Sequence, residues 1–217
     1  MGSDGVPVNP PTVVPGSPAV PSGGRGPLVF VGRVWLRLMG WRIVGALPLI
    51  PRYILVVAPH TSNSDFFVGL AAKFALGLRA QWLGKHTLFR GPSGWILRAL
   101  GGIPVDRSKP DGVIEGVLAG IQGAPTFVLA LAPEGTRKYI DHWKTGFYRI
   151  ALAAEVPVVP VTFDWSTRTI GLTEPPFTVT GDAASDIAHL RSLYRRNMAR
   201  RPEYFADVHD ALPPPAP

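Results

Sequence analysis

YILVVAPHTSNSDFFVGLAAKFALGL, residues 53–78, decides the fold. Residues 53–58 form a short, continuous apolar run rich in β-branched residues, the pattern of a strand buried on both faces. Pro59 then stops the run, and His-Thr-Ser-Asn-Ser-Asp at 60–65 is a polar turn. From Phe66 to Leu78 the apolar residues recur at helical spacing. The stretch therefore reads as buried strand, polar loop, helix. Loops at the carboxyl ends of strands are where α/β folds place their sites.

The same grammar repeats outward along the chain. Residues 126–131 and 158–163 predict two more buried strands. Weaker strands are expected at 81–83, 103–105, 169–172 and 177–179, and helices at 93–100, 111–122, 146–154 and 182–200. Strands alternating with helices predict a single α/β domain with a mixed, largely parallel β-sheet flanked by helices. Residues 28–46 are apolar, with Arg33, Arg37 and Arg42 set among Trp35 and Trp41. They predict an N-terminal amphipathic helix, which can lie in a membrane interface or pack on the core with its arginines in water.

Seven prolines fall within residues 1–27, with Gly and Ser between them. That composition predicts a disordered tail over 1–27, and residues 207–217, ending Pro-Pro-Pro-Ala-Pro, a second one. The folded domain is expected over 28–206. No basic start leads directly into an apolar run, so the tail does not read as a signal peptide. No uncharged apolar run of about 18 residues occurs, so no transmembrane span is expected.

The 217 residues include no Cys, which excludes disulfides, thiolate metal sites and a cysteine nucleophile. A formal net charge of +7 favours anionic partners. Charged residues are only 17% of the chain, under the usual quarter or so, and hydrophobic residues are 46%, so contact with something apolar is expected as well. No G-x-S-x-G elbow, Walker loop, strand-linked G-x-G-x-x-G or H-E-x-x-H occurs. No nucleic-acid motif accompanies the basic charge.

Three polar clusters remain. In the first, His60 is the side chain suited to proton transfer near neutral pH, and Asp65 can fold back to accept from its imidazole. Ser62, Asn63 or Ser64 can cap the helix. The stretch also reads as a capped turn with a passive His, and local chemistry does not separate the two. The second cluster, Gly101-Gly102-Ile103-Pro104-Val105-Asp106-Arg107, offers close backbone approach and a planar guanidinium for phosphate. The third, Pro133-Glu134-Gly135-Thr136-Arg137, offers a carboxylate, a hydroxyl and a second guanidinium, or else a plain turn.

Together these blocks resemble the glycerolipid acyltransferase family, the lysophosphatidic acid acyltransferase-like enzymes. His60, Ser62 and Asp65 match the H-x-x-x-x-D motif with its Ser. Lys85, Leu88-Phe89, Pro92, Gly94 and the 101–107 block match a second. Glu134-Gly135-Thr136-Arg137, followed by Lys144-Thr145-Gly146-Phe147, matches the third. Val156-Pro157-Val158-Val159-Pro160-Val161 matches the fourth, all in family order over about residues 30–165. Pro59, Ala132 and Lys138 depart from the common pattern around the acceptor site.

The resemblance implies an O-acyltransferase. It would move a fatty acyl group from an acyl thioester, acyl-CoA or acyl-carrier protein, to the hydroxyl of a lysophospholipid such as 1-acylglycerol-3-phosphate. His60 would be the general base and Asp65 its orienter. Arg107, Glu134, Gly135, Thr136, Arg137 and Lys144 would hold the acceptor phosphate. No cofactor or metal is implied beyond the donor substrate. The implied place is the cytoplasmic side, peripheral on an anionic membrane at the inner face of the cell membrane, with no nucleic-acid partner. The same chemistry on an aminolipid or other lysolipid, or a non-catalytic basic module binding anionic lipid, stands as the alternative.

Overall fold

The computed structural model describes residues 26–208, apart from 92 and 107–109. In chain order the elements are α1 (Pro27–Leu38), β1 (Arg42–Val44), β2 (Arg52–Ala58), α2 (Ser64–Ala75), β3 (Ala80–Lys85), α3 (Ser93–Ala99), β4 (Gly102–Val105), α4 (Pro110–Gly123), β5 (Phe127–Leu131), α5 (Gly146–Ala154), β6 (Val158–Asp164), β7 (Thr169–Leu172) and α6 (Ala183–Ser192). The strands form one sheet in the order β1-β7-β6-β2-β5-β3-β4. All neighbours are parallel except β6 and β7, which are antiparallel.

β2 lies between β5 and β6 and is buried on both faces, as its unbroken apolar run requires. Successive side chains of a strand point to opposite faces, so β2 feeds two cores. Ile54, Val56 and Ala58 join Ile121, Phe147, Ile150, Leu190 and Tyr194 on one face. Tyr53 and Leu55 join Leu36, Val68, Ala72, Ala75 and Phe163 on the other. The helices α4, α5 and α6 thus cover one side of the sheet, and α1 and α2 the other.

Three expectations change. The helix expected over 28–46 ends at Leu38; Gly40 takes the left-handed conformation (φ 72°), and 42–44 become β1. Arg42-Ile43-Val44 pairs in parallel with Thr169-Ile170-Gly171 and extends the sheet edge, a non-local pairing that propensity does not show. The strand expected at 177–179 is a single bridge, Phe177 to Val158. Pro175 and Pro176 precede it and have no N–H to continue a ladder. The helix expected over 182–200 starts well, with the Asp182 carboxylate accepting from the Ala184 and Ser185 N–H groups, but stops at Ser192. Tyr194 is wholly buried and donates its hydroxyl to the Val56 carbonyl at 2.9 Å, which draws the chain out of the helix and under the sheet.

α1 and α2 meet at close range. A Cβ on Gly32 would come within 2.5 Å of the Ala75 nitrogen and 2.7 Å of the Ala71 oxygen, so only glycine fits there. Beside it the Arg33 Nε donates to the Ala75 carbonyl at 3.2 Å, satisfying the end of α2. The outer side of α1 leaves Phe30, Val31, Val34 and Leu38 exposed. Trp41 is buried and meets Trp165 edge-on at 4.9 Å, so it is a core residue and not an interfacial anchor. Among the described residues no helix is long and apolar enough to cross a membrane.

Candidate active site

Because β2 sits between β5 and β6, the loops leaving their carboxyl ends converge. β2 delivers His60–Asp65, β5 delivers Pro133–Arg137, and β6 delivers Trp165. The His60 Nδ1 lies 3.4 Å from the Asp65 Oδ2, a contact longer than a tight hydrogen bond; such contacts commonly shorten when substrate binds. The Asp65 side chain is fully buried, whereas that of His60 is 22% exposed. Asp65 Oδ2 also accepts from the Ser62 N–H at 2.7 Å, and Oδ1 accepts from the Trp165 Nε1–H at 2.8 Å. With Nδ1 facing Asp65, Nε2 is the ring nitrogen left to exchange a proton.

The loop between them is tied down at Thr61, Ser62 and Ser64. Ser62 Oγ accepts from the Ser64 N–H at 3.1 Å, whereas Asn63, the residue in the N-cap position, makes no side-chain cap. Thr61 is buried, and its Oγ1 accepts from the Arg201 N–H at 3.1 Å. Glu134 reaches across from the neighbouring strand, and its two oxygens accept from the His60 N–H at 2.8 and 3.1 Å. Glu134 is 5% exposed. Burial, opposed by the His60 hydrogen bond and aided by the Asp65 charge, pushes its carboxyl up to about 8. Glu134 therefore meets the backbone of the His loop.

Gly135 follows with φ 65°, and a Cβ there would come 2.9 Å from the Lys144 Cδ. The glycine lets the 133–137 turn fold back under the Lys144 stem, and the Lys144 N–H donates to the Pro133 carbonyl at 2.9 Å. Thr136 Oγ1 accepts from the Lys138 N–H at 3.3 Å. A cavity of about 1250 Å³ runs from His60 past Thr136, Arg137 and Lys144, and the cations at its rim are exposed. Apolar side chains make up most of its wall: Leu70, Leu76, Val161 and Phe163 on the α2 side of the sheet, and Leu83, Ile114 and Leu131 on the other. Lys73 also borders it, but its ammonium donates to the Leu100 carbonyl at 2.5 Å, and burial lowers its pKa.

The fold thus brings together His60, Asp65, Glu134, Gly135, Thr136, Arg137 and Lys144. Arg107 lies outside the described residues. Trp165 was missed from sequence, although it follows a buried strand just as the His60 loop does. The signal was its place after β6, and its chemistry, a single N–H donor, gave no motif.

A histidine beside a buried carboxylate, at the mouth of a mostly apolar cavity in an α/β fold, sets this chain beside known proteins. The Acyltransferase family model matches residues 47–164, over half the chain, and the chain belongs to that family, the glycerolipid acyltransferases. A curated relative, the chloroplastic 1-acyl-sn-glycerol-3-phosphate acyltransferase BAT2 of Brassica napus, is 29% identical over 111 residues, 48% of this chain. That match spans 31% of the relative's length. The crystal structure of the 1-acyl-sn-glycerophosphate (LPA) acyltransferase PlsC from Thermotoga maritima shares the fold. Its TM-score is 0.57 at 18% identity, covering 79% of this chain and 76% of that one.

Proposed function

We propose that this protein transfers a fatty acyl group from an acyl thioester to the free hydroxyl of a lysophospholipid of the 1-acylglycerol-3-phosphate type. The observation that carries the proposal is the His60–Asp65 pair opening onto a large apolar cavity rimmed by cations. His60 Nε2 takes the proton of the acceptor hydroxyl as its oxygen attacks the thioester carbonyl. The C–S bond then breaks, and the departing thiolate takes the proton from His60. Asp65 keeps Nδ1 in its donor form and stabilises the imidazolium in between. Without a Cys no cysteinyl acyl-enzyme forms, and no G-x-S-x-G elbow supports a seryl one, so we read the transfer as direct.

The apolar walls receive the acyl chain, and Arg137 and Lys144, with Arg107 by family pattern, hold the acceptor phosphate. In this arrangement Glu134 holds the His60 backbone in place instead of touching the phosphate. The exposed face of α1, apolar with Arg37 beside it, meets the anionic lipid surface in which the lysophospholipid acceptor partitions.

The test is release of free thiol from acyl-CoA, or from acyl-carrier protein in a parallel arm, with and without 1-acylglycerol-3-phosphate. Release that depends on the acceptor supports the proposal. Release with an aminolipid or neutral lysolipid alone moves the acceptor to another class. No release from either donor leaves a lipid-binding module.

A further inference from the structure

We propose that Trp165 is a positioning residue of the acyl-transfer site, fixing Asp65 through its indole N–H. This rests on the reading of His60 and Asp65 as base and orienter. The Cβ–carboxylate torsion of an Asp is soft and roughly two-fold, so a carboxylate gripped at one oxygen can still swing. Asp65 Oδ2 is shared between the Ser62 N–H and His60 Nδ1, while Oδ1 accepts from Trp165 Nε1 at 2.8 Å. The two ends together set the plane of the carboxylate, and with it the direction from which Oδ2 meets the imidazole. Trp165 lies 100 residues from Asp65 in sequence and one residue beyond the region matched by the family model.

The indole is itself held. Its backbone N–H donates to the Met198 carbonyl at 2.9 Å, and the Trp41 ring meets it edge-on. The Arg200 guanidinium lies 4.6 Å from its ring centroid. A cation over the π face draws density from the ring and makes Nε1–H a stronger donor to the carboxylate. The following turn is fixed by Asp164, whose carboxylate accepts from the backbone and hydroxyl groups of Ser166 and Thr167. A side chain braced this thoroughly and ending in one donor to one catalytic-site oxygen serves to aim that oxygen.

The experiment is a double-mutant cycle on steady-state kcat. Trp165→Phe keeps an aromatic ring but removes the N–H along with the pyrrole half of the indole. It should lower kcat about tenfold, the scale of one hydrogen bond to a charged group, with both KM values nearly unchanged and a modest fall in Tm from the lost ring volume. In an Asp65→Ala background the same substitution should cost nothing further, because the oxygen it aims is gone. Arg200→Ala, at an exposed position, keeps the N–H and should lower kcat a few-fold; it stands in as the reporter if Trp165→Phe fails to fold. Unchanged kcat in both variants, or an equal loss with and without Asp65, overturns the role of Trp165 and leaves the His–Asp reading intact. Full activity of Asp65→Ala overturns that reading, and the role of Trp165 with it.

Discussion

Replacing Glu134 separates a carboxyl that supports the His loop from one that binds substrate. Its carboxyl stands at about 8 against an ordinary 4.5, a difference that makes the ionised form cost on the order of 5 kcal/mol in the folded protein. The folded state holds this proton more tightly than the unfolded chain does. Its contribution to stability is therefore full below pH 4.5 and lost as pH rises through 8. At neutral pH the group is mostly neutral, so Glu134→Gln supplies the same acceptor for the His60 N–H. Its kcat should stay within a few-fold of the parent at pH 7. Glu134→Ala leaves that N–H without its acceptor and should cost about 1–3 kcal/mol of stability and at least tenfold in kcat. Urea midpoints at pH 5 and 8.5 give the second measure: the parent should weaken by several kcal/mol across this window, and Glu134→Gln far less. Parallel pH profiles for the two proteins, or a Gln variant as inactive as the Ala variant, would refute the supporting role.

His60→Ala should lower transfer about 10²–10⁴-fold with Tm nearly unchanged; a folded variant with full activity removes the general base from the mechanism. Arg137→Lys keeps the charge but loses the planar fork, so acceptor KM should rise more than donor KM in steady-state assays. Phe30→Ser with Leu38→Ser should weaken sedimentation with anionic vesicles while sparing turnover of a short-chain soluble acceptor; unchanged sedimentation would place the lipid contact elsewhere. Arg33 is unsuitable for that test because its Nε caps α2. Gly32→Val should destabilise the fold by more than about 3 kcal/mol in urea titration, since its side chain collides with the α2 backbone.

The sheet and its two helical layers were legible because β2, β5 and β6 are unbroken apolar runs separated by helical periodicity. The candidate site was legible where residues close in sequence carry it, as with His60 and Asp65. It was illegible where partners are distant. Nothing near Glu134 says that its oxygens turn to the His60 backbone. Nothing near Trp165 says that it meets Asp65. β1 was lost for the same reason: its three residues become a strand only because Thr169–Leu172 offers an edge. The end of α6 is set by the buried bond from Tyr194 to Val56, 138 residues away.

The tight seat of Gly32 on α2 has a mechanical consequence. α2 begins beside Asp65 and ends at Ala75, where α1 is clamped by glycine contact and by Arg33. At about 1.5 Å per residue, those points are roughly 15 Å apart along one continuous helix. If the outer side of α1 rests on a lipid surface, α2 is the strut that sets how far His60 stands from that contact. That spacing is written into helix length, and adding one turn to α2 would change it by about 5 Å.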